Sequence, residues 1–96
     1  MNNLNPGQLA DKLMTLSENF SRCSEALANL ARSEAEYYKV NRDKHKSDTA
    51  VERHFMATEE GILMLQTKLK LKSIAREMSA IKTFIEVKSN EARGLY

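Results

Sequence analysis

The chain has 96 residues, with 15 Lys and Arg against 13 Asp and Glu, 3 Gly, 1 Pro, 1 Cys and no Trp. Scarce Gly and Pro alongside 29% charged residues exclude a sandwich, a barrel or a disulfide scaffold and specify long helices. No run approaches the roughly 18 uncharged apolar residues of a membrane span, and Met1-Asn-Asn-Leu-Asn-Pro6 has neither the basic start nor the apolar core of a signal peptide.

The first element opens at Asn5-Pro6. An Asx residue caps a helix N-terminus, and proline fits the first helical position, where its missing N–H is no loss. Nothing interrupts the helix until about Val40. Within it Leu9, Leu13, Leu16, Phe20, Cys23, Leu27 and Leu30 follow a 4-3-4-3-4-3 spacing, and the next two steps fall on Glu34 and Tyr37. An apolar residue every 3.5 positions draws a narrow seam that is buried only against another helix. Glu34 is a charge at a seam position, expensive to bury unless paired. In a hairpin turning near residue 45 it would face Glu59–Ile62, which offers no basic residue. Splayed helices there, or a contact from another subunit, are therefore expected.

Residues 41–48 (Asn-Arg-Asp-Lys-His-Lys-Ser-Asp) are all polar and break the rhythm, which predicts a turn or hinge. The alternative is one continuous helix with a solvated middle. Thr49-Ala-Val-Glu52 reads as a capping box opening a second helix over about 49–92. Its first half presents Val51, Phe55, Ile62, Leu65 and Leu69. Its second half presents Leu71, Ile74, Met78, Ile81 and Ile85, then Lys88, Ala92 and Leu95. The two registers are offset by two residues near Leu69–Leu71. Ile62-Leu63-Met64-Leu65 is apolar on most sides, which implies burial from several directions or a kink near Gly61.

Arms of roughly 54 and 66 Å, at 1.5 Å per residue, match in length. The expected fold is therefore all-α, a single domain over 1–96: a long antiparallel helical hairpin forming a coiled-coil or helical-bundle homo-oligomer. Its interface would be Leu9, Leu13, Leu16, Phe20, Leu27, Leu30, Ile62, Leu65, Leu69, Ile74, Met78, Ile81 and Ile85. A chain of three helices broken at Gly61, and a monomeric hairpin awaiting another protein, are the alternatives.

No catalytic constellation is present. His45 and His54 stand nine residues apart, whereas helical metal ligands want spacings of three or four with further ligands. Cys23 lies on the apolar seam, where a thiol acts as a small hydrophobe. With one cysteine no intrachain disulfide forms, which fits a reducing, cytoplasmic setting. Gly7, Gly61 and Gly94 are isolated and form no phosphate loop. A non-enzyme without cofactor or metal is expected.

The remaining signal is charge. Net charge is −2 over residues 1–38, +3 over 39–46, −3 over 47–60 and +4 over 61–96. Lys68, Lys72 and Arg76 fall at i, i+4, i+8, with Lys70 nearby and Lys82 beyond. Lys39, Arg42, Lys44 and Lys46 follow directly on Tyr37-Tyr38. Aromatics beside basic residues suit single strands, since stacking is worth about 1–3 kcal/mol per base and phosphate contacts release counterions. Tyr38, Lys39, Arg42, Lys44, Lys46, Lys68, Lys72 and Arg76 are the candidate nucleic-acid contacts. The competing explanation is that Tyr37 continues the core seam and the lysines only solubilise a helix.

Ala35-Glu-Tyr-Tyr38, the polar basic stretch, the long apolar second helix and the ending Ser89-Asn-Glu-Ala-Arg-Gly94 resemble phage recombination mediators of the UvsY type. The likeness spans residues 35–94, and this chain is shorter on its N-terminal side. The resemblance implies an oligomeric helical protein of the host cytoplasm that binds single-stranded DNA. Such a protein helps load a recombinase in place of single-strand-binding protein. Two other functions fit the residues: a helical inhibitor or adaptor acting on a host protein, and a small structural assembly component.

Overall fold

The computed structural model describes residues 5–92 and 94. Among these the protein is all-α, without a strand: α1 (Pro6–Asn41), a 3₁₀ turn (Arg42–Lys44), α2 (Asp48–Met56) and α3 (Glu59–Ala92). Leu95, which continues the expected seam, lies outside the described residues, as does Arg93.

The start of α1 is a reciprocal cap. Asn5 Oδ1 accepts the Gln8 N–H at 2.9 Å, and the Asn5 N–H donates to Gln8 Oε1 at 3.0 Å. Two otherwise orphaned donors are satisfied at once, and Pro6 stands in the first turn. The helix then runs unbroken for 36 residues and ends at Asn41, where the polar stretch begins.

The second half of the chain differs from the sequence reading in two ways. First, Ser47 opens α2, not Thr49. Ser47 is extended (φ −155°, ψ 166°) and its Oγ accepts the Ala50 N–H at 3.2 Å, as an N-cap requires. Thr49 is already inside the helix, and Asp48 occupies the first turn, where the helix dipole favours a carboxylate.

Second, residues 49–92 do not form one helix. α2 ends at Met56, and Ala57-Thr58 make a joint before α3. Thr58 Oγ1 donates to the Phe55 carbonyl at 2.6 Å and accepts the Gly61 N–H at 3.1 Å. One hydroxyl thus closes the end of α2 and caps the start of α3. Gly61 is buried there, and a Cβ on it would overlap the Phe55 carbonyl oxygen and the Met56 Cα. The break comes four residues before the glycine, because the glycine permits the close approach and is not itself the hinge.

The chain packs as two units. The first comprises the chain up to Arg22 and from Lys72 onward, so the N-terminal part of α1 lies with the C-terminal part of α3. Its buried side chains are Leu9 and Leu16 of α1 and Ile74 and Ile81 of α3. Leu13, Met78 and Ile85 are half-buried, while Phe20 remains exposed. Lys12 Nζ and Glu77 Oε1 form a surface ion pair at 3.1 Å.

The second unit, Cys23–Leu71, contains the rest of α1, the connection, α2 and the start of α3. Val51, Phe55 and Met64 are its buried apolar side chains, with Leu27, Leu30 and Leu71 half-buried. Here α3 turns Met64 inward. Ile62, Leu63, Leu65 and Leu69 stay 48%, 51%, 52% and 56% exposed. The inward positions Met64, Thr67, Leu71, Ile74, Met78, Ile81 and Ile85 keep one 3-4 spacing along α3, so the expected register offset at Leu69–Leu71 is absent.

Candidate functional site

Tyr37 and Tyr38 are consecutive on a helix, so their side chains diverge by about 100° and serve different ends. Tyr37 turns toward α2. Its ring lies 5.4 Å from the Phe55 ring and stacks on His54 at 5.8 Å and 19°. Its hydroxyl and His54 Nδ1 are hydrogen-bonded. The His45 ring lies 5.0 Å from that of His54, so the connection ends in a small cluster of aromatic rings. Tyr37 is therefore a half-buried packing residue, as its seam position suggests.

Tyr38 points to Asp48. Its hydroxyl donates to Asp48 Oδ1, and Arg42 Nε donates to the same oxygen at 2.6 Å. Arg42 Nη1 also donates to the His45 carbonyl at 2.9 Å, and Asn41 Nδ2 donates to the Tyr37 carbonyl at 2.9 Å. These bonds fasten the 3₁₀ turn to both flanking helices. Hydrogen bonds from Tyr38 and Arg42 hold the Asp48 carboxyl below its ordinary value of 3.8. The bond to Asp48 lifts the Tyr38 phenol above 10.0 and raises Arg42 further. All three groups face solvent, so the network orders the loop more than it stabilises the fold.

The sequence-predicted DNA residues thus divide. Tyr38 and Arg42 come together on Asp48, with their polar groups already engaged. Lys39, Lys44, Lys46 and Lys68, all in the second unit, are exposed. Lys72 and Arg76 are exposed in the first unit. Asp48 is the site residue that sequence reasoning missed. Its partners stand six and ten residues before it across a turn, a spacing with no helical or strand period, and the only local signal is an acid directly after Ser47.

Glu34 is exposed, so the chain itself buries no charge at that seam position. It lines a shallow groove with Glu52, Phe55, Met56, Gly61, Met64, Leu65 and Lys68. Cys23 is a free, half-buried thiol. Among the described residues no three His, Cys, Asp or Glu side chains gather as a metal site requires, and no helix is long and apolar enough to cross a membrane.

No protein family, curated protein or solved structure matches this chain.

Proposed function

We propose that this protein is a non-enzymatic accessory factor in phage DNA transactions. It holds single-stranded DNA, or the recombinase or single-strand-binding protein that coats it, in the manner of a recombination mediator. One observation carries the reading. In the second unit Lys39, Lys44 and Lys46 are exposed, and among the described residues none of them enters an intrachain ion pair. Uncommitted ammonium groups can neutralise phosphates and release the cations condensed on a nucleic-acid backbone. Tyr38 and Arg42, in this reading, position the lysines by ordering the connection, and base stacking on Tyr38 is secondary.

The proposed assembly is an antiparallel hairpin that associates into a homo-oligomer in the host cytoplasm. The make-up of each unit supports the opposite chain directions: the first holds the start of α1 and the end of α3, and the second holds the rest of α1 and the start of α3. Association would multiply weak phosphate contacts through avidity.

A salt titration of binding to a labelled oligothymidylate tests the function. A log-log plot of affinity against salt is expected to be linear, and Lys39→Ala/Lys44→Ala/Lys46→Ala to reduce its slope by about 2, at about 0.7 per lost contact. No binding at low salt, or an unchanged slope, would overturn the reading. A second reading, an adaptor for another protein, is favoured by the exposed Ile62, Leu65 and Leu69 and predicts apolar capture without salt dependence.

A further inference from the structure

An apolar stripe on the outer side of α3 is left unpartnered within the chain. At about 100° per residue, Ile62, Leu65 and Leu69 share one side of α3, opposite the inward Met64, Thr67 and Leu71. All three are about half exposed, and Met56, 60% exposed, adjoins them across the groove. The stripe is short and centred on Leu65.

Its flanking charges are arranged about the same centre. On one flank Glu59 and Lys70 stand six residues before and five after Leu65, with the uncharged Gln66 between them. On the other flank Gly61 and Lys68 stand four before and three after. Glu34 and Glu52 line one groove with Gly61, Leu65 and Lys68. Among the described residues Glu34, Glu52, Glu59, Lys68 and Lys70 form no intrachain ion pair. The first flank therefore carries acid at one end and base at the other, the second gathers two acids and a base about one groove, and all of these charges are uncommitted.

We infer that two copies pair through α3, antiparallel about a two-fold axis near Leu65. This turns Ile62 toward Leu69 of the second copy and sets Leu65 against its counterpart. Glu59 then meets Lys70 of the second copy, and Lys68 of the second copy enters the groove beside Glu34 and Glu52. An isologous pairing satisfies each contact twice, once per copy. A parallel pairing would set like charge against like along the same flanks. The inference deepens the assembly proposed above by naming its seam and register, and it rests on that reading.

The test is solution mass by light scattering over a concentration series, with helix content by circular dichroism as the folding control. Leu65→Lys alters an exposed side chain. It is expected to retain the helices while weakening association by at least about 30-fold, the effect of losing a central anchor. Glu59→Lys and Lys70→Glu, each alone, are expected to weaken it several-fold. An equimolar mixture of the two variants is expected to form mixed pairs about as well as the wild type, because both contacts of the mixed pair again set base against acid. The double swap Glu59→Lys/Lys70→Glu is expected to restore self-association, because its flank is again complementary.

An oligomer whose mass none of these substitutions changes would overturn this seam and leave the function proposal standing. A wild-type chain that stays monomeric throughout would overturn both the seam and the proposed assembly. Loss of association in the single charge variants without recovery in the swap would overturn the antiparallel register.

Discussion

At the scale of single residues, Gly61 and Asp48 do more than their types suggest. Exchanging glycine for alanine inside an exposed helix ordinarily stabilises by about 1 kcal/mol. At Gly61 the sign reverses, since the added methyl would meet the backbone at the end of α2. Gly61→Ala is expected to lower stability by about 1–3 kcal/mol, as overpacking does, in urea denaturation. Asp48 supplies a pH dependence. Its folded pKa is depressed, so its contribution is present above the ordinary carboxylate value of 3.8 and fades as pH falls below that toward the folded value. Protection of the Ala50 and Val51 amides, relative to the intrinsic exchange rate at each pH, is expected to fall in that acid range. Asp48→Asn should lower the protection already at neutral pH and remove the acid step.

Elements were legible where pattern and termination signals agreed. Asn5-Pro6 and the heptad spacing locate α1, and the polar run 41–48 locates the connection. Where two signals competed, the sequence was ambiguous. Ser47 and Thr49 both offer capping hydroxyls, and Ser47 prevails because Asp48 is then free to tie Arg42 and Tyr38. Ala57-Thr58 contains no helix breaker, so the joint depends on side-chain bonding by Thr58 that periodicity cannot reveal. Ile62-Leu63-Met64-Leu65 contains two possible inward registers, and the joint chooses Met64. Thr58→Val keeps the shape of the side chain and removes both hydroxyl bonds. It is expected to cost about 1–2 kcal/mol and to increase exchange at Gly61, read by hydrogen exchange. The candidate site was legible only as composition: the lysines were visible as charge, but the partnership of Tyr38, Arg42 and Asp48 depends on how a turn folds back.

For the molecule as a whole, burial separates side chains that hold a unit together from those left over. Ile81 is fully buried in the first unit, and Ile81→Ala is expected to cost about 2–5 kcal/mol in urea denaturation. Leu69, 56% exposed, is expected to tolerate alanine within about 0.5 kcal/mol at concentrations where the chain is monomeric. The same contrast would be lost if both leucine-type positions served a single continuous core. The apolar residues of this chain therefore fall into two sets, one used within the fold and one available outside it.

The bond between Tyr38 and Asp48 also gives the protein a spectroscopic handle. With no tryptophan in the chain and two of its three tyrosines adjacent at the end of α1, near-ultraviolet absorption is dominated by phenols next to the turn. Alkaline titration of the phenolate band should show Tyr38 ionising late, above 10.0, and Asp48→Asn should abolish the delay. Whether anything docked on the neighbouring lysines disturbs the turn is thus observable without a dye.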